Sequence, residues 1–135
     1  MMNPQELEAL QQKFANDRFA TGQTGCVIEK AGKNFSRCSV TIRPHHLNAA
    51  GTVMGGAIFT LADFAFAVAA NCCDQPLTVS ISSQITYLAP PRGEHMTAHC
   101  TCVKSGRQTC LYQVDIYDDN HTPVALVTIQ GFIKR

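Results

Sequence analysis

The chain lacks an excess of either charge, lacks any CxxC pair and lacks an apolar run long enough to cross a bilayer. Each absence removes a class of function. With 11 basic and 10 acidic residues the formal charge is +1, and the basic residues are scattered, so nothing forms an electrostatic footprint for nucleic acid or an anionic membrane. The seven cysteines are odd in number, with Cys72 beside Cys73 and Cys100 two before Cys102. Those are not zinc-ligand spacings, so no metal is expected, and the thiols read as free and reduced. The longest apolar run, residues 57–70, falls short of the roughly 20 residues a membrane span requires and carries Asp63. No basic-then-apolar leader opens the chain: MMNPQELEALQQKF is charged and helical in pattern. Repeats, low-complexity tracts and linkers are also missing. These features predict one domain over residues 1–135, with 1–20 an N-terminal amphipathic helix and linker, working in the cytoplasm.

What is present begins with a helix signal. Asn3 can cap a helix whose first residue is Pro4, Glu6 completes a capping box, and Leu7, Leu10 and Phe14 recur at helical spacing. The glycines of Thr21 to Gly25 break it. From Cys26 the period turns to two: a hairpin bends through Ala31 to Asn34, and Cys38, Val40 and Ile42 alternate with polar residues until Pro44. Beyond Asp74-Gln75-Pro76 four more strands follow. In Leu77–Leu88 the residues Val79, Ile81, Ile85 and Tyr87 should share one face, with Ser80, Ser82, Gln84 and Thr86 on the other. Met96, Ala98, Cys100 and Cys102 mark the next strand, Cys110, Tyr112, Val114 and Ile116 the third, and Pro123 to Ile133 the last. Short turns between them imply antiparallel neighbours, giving an α+β domain of one sheet and one long helix.

That helix, Ala57 to Ala70, has only Thr60 and Asp63 as polar side chains, so it should be buried all round. One sheet can wrap only part of such a helix, which predicts an oligomer, most simply a two-fold dimer. Ahead of it, Gly51-Thr52-Val53-Met54-Gly55-Gly56 places glycines at the helix start, where free N–H groups and a partial positive charge suit a carbonyl oxygen that becomes an oxyanion. Asp63, two turns on, suits a general base or a nucleophile. Desolvation would raise its pKa and N–H donors would lower it, and the sequence leaves the net direction open. Gly56 and Asp63 stand seven residues apart, about 10 Å at the helical rise, too far to meet at one carbonyl, so a dimer should pair one protomer's Gly56 with the other's Asp63. Asn48 could position water or a carboxylate, or only hold the turn. His45, His46, His95, His99 and His121 show no ligand or triad spacing.

Asn48-Ala-Ala-Gly51-Thr-Val-Met54-Gly55-Gly56-Ala-Ile-Phe-Thr60-Leu61-Ala62-Asp63, followed by Val79-Ser80 and Ile85-Thr86-Tyr87-Leu88-Ala89-Pro90, resembles the PaaI-type hotdog-fold acyl-CoA thioesterases from Cys26 to Ile133. The resemblance implies a hotdog fold, an antiparallel sheet wrapped around the central helix, in dimers that pair again into homotetramers. It implies hydrolysis of an acyl-CoA to free acid and CoA, with no cofactor beyond the coenzyme A of the substrate. The Gly56 amide, with Gly55 beside it, would polarise the carbonyl, Asp63 of the partner would act as nucleophile or base, and Asn48 would help place the reacting group. Ser80 would sit near the acid and the attacking water. The turns Pro91-Arg92-Gly93 and Lys104-Ser105-Gly106-Arg107 would bind the phosphates and pantetheine.

The family's frequent His before Gly-Gly is Met54 in this chain, which removes a side-chain donor and leaves the backbone donors. Phe59, Phe64 and Phe66 are expected to share the pocket wall, which allows aromatic or medium-chain acyl groups. Two other functions compete: a non-catalytic acyl-CoA binding domain, favoured by Met54, and enoyl-CoA hydration, which wants an Asp-His pair at a spacing this chain lacks.

Overall fold

The computed structural model of the protein describes residues 2–135. Helix α1 spans Pro4–Phe14, with the expected box complete: the Glu6 N–H donates to Asn3 Oδ1 at 2.8 Å and the Asn3 N–H to Glu6 Oε1 at 3.0 Å. The segment read as a glycine break is itself helical, a π-type turn over Phe19–Thr24 that ends at Gly25 with φ 85°. Glycine takes that left-handed conformation without steric penalty, so the glycines end a turn as well as break α1.

The hairpin strands are β1, Val27–Gly32, and β2, Phe35–Thr41. Their turn is tighter than the pattern suggested, only Lys33 and Asn34, because Asn34 accepts a left-handed φ of 63°. A short 3-10 turn at Pro44–His46 leads to the second long helix, α2, Gly55–Asn71. The remaining strands are β3 Thr78–Tyr87, β4 His95–Ser105, β5 Thr109–Asp118 and β6 Pro123–Ile133. All pairs are antiparallel, in the order β1-β2-β4-β5-β6-β3.

Helix α2 lies against one face of this sheet. Ile58, Leu61, Ala62, Phe64, Ala65, Phe66, Val68, Ala69 and Ala70 are buried, facing Cys38, Met96, Val114 and Val127 among others. Two contacts fix the seat. Buried Ser36 donates its hydroxyl to the Ala65 carbonyl at 2.7 Å, and Phe66 meets the Tyr112 ring edge-on at 5.3 Å. On the far side Phe14 of α1 packs edge-on against Phe64 at 5.9 Å. Phe66 is therefore a core residue and not part of a pocket wall.

Strand β3 departs from simple alternation. A register shift between Ser80 and Ser82 leaves Ile81 as a bulge, so Ser80 pairs with Gly131 on the helix-facing side while Val79 pairs with Phe132 on the outer face. The alternation expected for 82–87 holds, and that expected for Val79 and Ser80 is reversed. β3 also ends the sheet, with β6 its one neighbour, and carries exposed Leu77, Ile81, Tyr87 and Leu88 along it. No helix among the described residues is long and apolar enough to cross a membrane.

Candidate active site

The circumference of α2 is not wholly covered. Gly56 is exposed, and Phe59, Thr60, Asp63 and Ala67 are half-buried; at spacings of three and four they form one stripe that neither the sheet nor α1 closes. This is where Thr60 and Asp63, the polar residues of the 57–70 run, lie. Two cavities open along the stripe, one of about 410 Å³ beside Gly56 and one of about 400 Å³ beside Asp63. Phe19 and Thr60 border both.

At the Gly56 end, Met54 is the N-cap residue and offers no side-chain cap. Its carbonyl accepts the N–H groups of Ala57 and Ile58 at 3.0 and 3.3 Å, whereas those of Gly55 and Gly56 meet no acceptor among the described residues. Unpaired first-turn N–H groups carry the positive end of the helix dipole. The Met54 thioether folds over this end, so that a Cβ on Gly56 would stand 2.9 Å from Met54 Cε. The same cavity is bordered by His46, for which no spacing in the chain predicts that place. His46 is buried; its Nδ1 accepts the Arg43 N–H at 2.9 Å, which leaves Nε2 as the donor to the Thr24 carbonyl at 2.8 Å. Burial holds its pKa below the usual histidine value, so it is a neutral strut between the 19–24 turn and the loop into α2. Only the fold brings Phe19, Thr24 and His46 to Gly56, across more than thirty residues of chain for the first two.

Asp63 forms no ion pair and no hydrogen bond among the described residues. Burial raises its pKa, and the Asp17 carboxylate adds to the rise, which settles the direction left open by the sequence. The sign of the consequence follows. Below the ordinary carboxylate value of 3.8 the group is protonated folded or unfolded and costs nothing; above it, ionisation favours the unfolded chain. Asp63→Asn is therefore expected to melt at a higher temperature than wild type at pH 7, with the difference shrinking toward pH 3. Equal melting temperatures at both pH values would show that the carboxylate is not strained.

The other expected residues are placed less uniformly. Asn48 holds its own turn: Oδ1 accepts the N–H of Ala50 at 2.9 Å and of Thr52 at 3.2 Å, and Nδ2 donates to Thr52 Oγ1 at 3.1 Å. Ser80 lies on the helix-facing side of β3 without lining either cavity. Phe59 borders the Asp63 cavity, as does the edge of Phe64. The two basic turns are not brought together. Pro91-Arg92 precedes β4, where the Arg92 N–H is anchored on Asp118 Oδ2 at 2.9 Å, and at the other end of that 11-residue strand Lys104 and Ser105 close it and Gly106-Arg107 follow. At the strand rise they are about 30 Å apart, so they cannot bind one phosphate group within a protomer.

An antiparallel sheet curled on one long helix, with the strand after that helix added at the far edge, is a hotdog domain. The chain belongs to the thioesterase superfamily, whose family model matches residues 50–125. That span holds Met54 to Asp63 and Ser80, and leaves out Asn48 and Phe19. The chain is 32% identical over 115 residues to the acyl-coenzyme A thioesterase PaaI of Escherichia coli, covering 84% of this chain and 80% of that protein. It is 31% identical over 106 residues to human acyl-coenzyme A thioesterase 13, covering 77% and 74%. Among solved structures, that of a hypothetical thioesterase protein with coenzyme A from Streptococcus pneumoniae superposes with a TM-score of 0.82 at 26% identity, covering 92% of this chain and 96% of that one. The chain is a thioester hydrolase of the PaaI type.

Proposed function

We propose that the protein hydrolyses acyl-CoA thioesters to a carboxylic acid and coenzyme A, at sites that two protomers build together. The observation that carries this reading is the α2 stripe, where the free Gly56 N–H and the unpaired, pKa-raised Asp63 share one uncovered surface but lie two turns apart. The thioester oxygen accepts the Gly56 N–H, a donor aimed where negative charge develops. Asp63 of the partner takes a proton from water, the water oxygen bonds to the carbonyl carbon, the C–S bond breaks, and the leaving thiolate takes the proton from Asp63, which restores the carboxylate. A raised pKa suits a base for that transfer. Asn48 serves by fixing the turn that delivers Met54 to Gly56.

Two observations support the dimer. β3 is an edge strand with an open side that exposes Ile81 and Tyr87, with Leu77 and Leu88 exposed at its two ends, and edge strands left in that condition pair with another chain. The second is the α2 stripe itself, which neither the sheet nor α1 covers, as expected of a surface that a partner completes. A further pairing of dimers through the sheets gives the homotetramer. Opposite protomers can then offer the Arg92 and Lys104–Arg107 turns to one coenzyme A. The names of the E. coli and human relatives, and the coenzyme A in the S. pneumoniae structure, agree with the substrate class. The seven free thiols suit a reducing cytosol.

The cavity beside Gly56, walled by Phe19, Ala57 and Met54, has the apolar character and volume for an aromatic or medium-chain acyl group. Thiol release measured across acetyl-, hexanoyl-, decanoyl-, palmitoyl-, benzoyl- and phenylacetyl-CoA tests this. The highest kcat/KM is expected on a medium-chain or aryl substrate. Binding across the panel with no turnover would show instead an acyl-CoA binding domain that has kept the fold.

A further inference from the structure

The glycine before Gly56 faces away from the stripe. Gly55 borders a separate hollow with Val53, Ile58 and Tyr87, where the Tyr87 hydroxyl donates to the Gly55 carbonyl at 2.9 Å. A Cβ on Gly55 would lie 2.8 Å from that hydroxyl oxygen and 2.9 Å from ring Cζ, so only glycine lets the phenol approach this closely. The ring is exposed on one side, and the backbone that carries it is anchored. Tyr87 closes β3, paired with Ala125 of β6, and the next residue, Leu88, donates its N–H to the Val124 carbonyl at 2.8 Å.

The Gly55 carbonyl and the Gly56 N–H are two ends of one peptide unit. As the first carbonyl of α2, Gly55 C=O also accepts the helical N–H four residues on, so Tyr87 uses its second lone pair. Donors on a carbonyl draw electron density from the amide nitrogen and make its N–H a stronger donor, the cooperative effect of a hydrogen-bonded chain. The bond also fixes the plane of the peptide and with it the direction of the N–H. We propose that Tyr87 is a positioning residue for hydrolysis: through Gly55 it orients and strengthens the Gly56 N–H that holds the thioester oxygen. This rests on the role given above to Gly56, and it assigns to the two glycines different tasks, Gly56 to receive the substrate and Gly55 to receive Tyr87. It also links the edge strand, where a partner would pair, to the donor of the reacting carbonyl.

Tyr87→Phe keeps the ring and removes the hydroxyl. Losing a whole oxyanion donor costs 10² to 10³ in kcat and one link strengthens the next by 10–30%, so kcat should fall by roughly two- to eightfold with KM unchanged. In the free protein the Gly55 carbonyl ¹³C and Gly56 amide resonances should move in the same variant. Fluorinated tyrosines at position 87, more acidic donors assayed below their own pKa, should raise kcat in order of acidity, which a contact that merely supports the helix end would not do. A folded Tyr87→Phe protein with unchanged kcat, a change confined to KM, or resonances that stay in place would overturn the proposal. If wild type hydrolyses no thioester but the resonances move, the hydrolase reading falls and the Tyr87–Gly55–Gly56 coupling stands.

Discussion

Asp63→Asn is expected to lower kcat for acyl-CoA hydrolysis by about 10² or more while KM changes little, because the substitution removes one thing, the capacity to take a proton. The amide keeps the shape and polarity of the side chain, and Asp63 holds no structural partner whose loss could unfold the helix. Its neighbours on α2 make the residue costly in any other role. Burial and Asp17 both oppose its charge, so the fold would be more stable without it. Stability gained and activity lost in the same variant is the signature of a group kept for its chemistry. Thiol release by purified wild type and variant, compared at saturating and sub-saturating substrate, measures the effect. Equal kcat values would remove Asp63 from the reaction.

Much of this site is legible in the sequence because its signals are local. A lone carboxylate in an apolar helix and paired glycines at that helix's start need no tertiary information, and the alternation of Cys110, Tyr112, Val114 and Ile116 is carried by β5 as read, all four buried. What escapes is whatever depends on backbone irregularity or on distant contacts. The bulge at Ile81 turns Val79 and Ser80 over, and a period-two pattern cannot reveal a residue that has dropped out of the ladder. The π-type turn of Phe19–Thr24 hides behind two glycines that normally end structure. His46 shows no spacing signal, since its partners are the carbonyl of Thr24 and the N–H of Arg43, neither of which has a side-chain signature. The two basic turns look alike in sequence and are separated by the length of β4.

The second large effect concerns where Asp63 acts. Gly56→Pro deletes the N–H at the second helical position, in the first turn where proline is tolerated, and a Cβ there meets Met54 Cε at 2.9 Å, the far end of a flexible side chain. Without that donor kcat should fall by about 10² to 10³. Asp63→Asn fails for the complementary reason. If each site takes Gly56 from one protomer and Asp63 from the other, a dimer containing one copy of each variant has one site with both groups intact and one with neither. Random mixing makes half of all dimers of this kind, each with half its sites working, so an equimolar co-expressed mixture should recover about a quarter of wild-type activity, far above either variant alone. The figure is the same whether dimers stand alone or pair into tetramers, because it counts two-fold sites. A site built within one protomer predicts no recovery, since every protomer would carry a defect. The seven-residue separation of Gly56 and Asp63, about 10 Å of helix, is what makes recovery the expected result. A mixture no more active than its components would place both groups in one chain and require α2 to bend toward itself, which its unbroken helical course from Gly55 to Asn71 gives no means of doing.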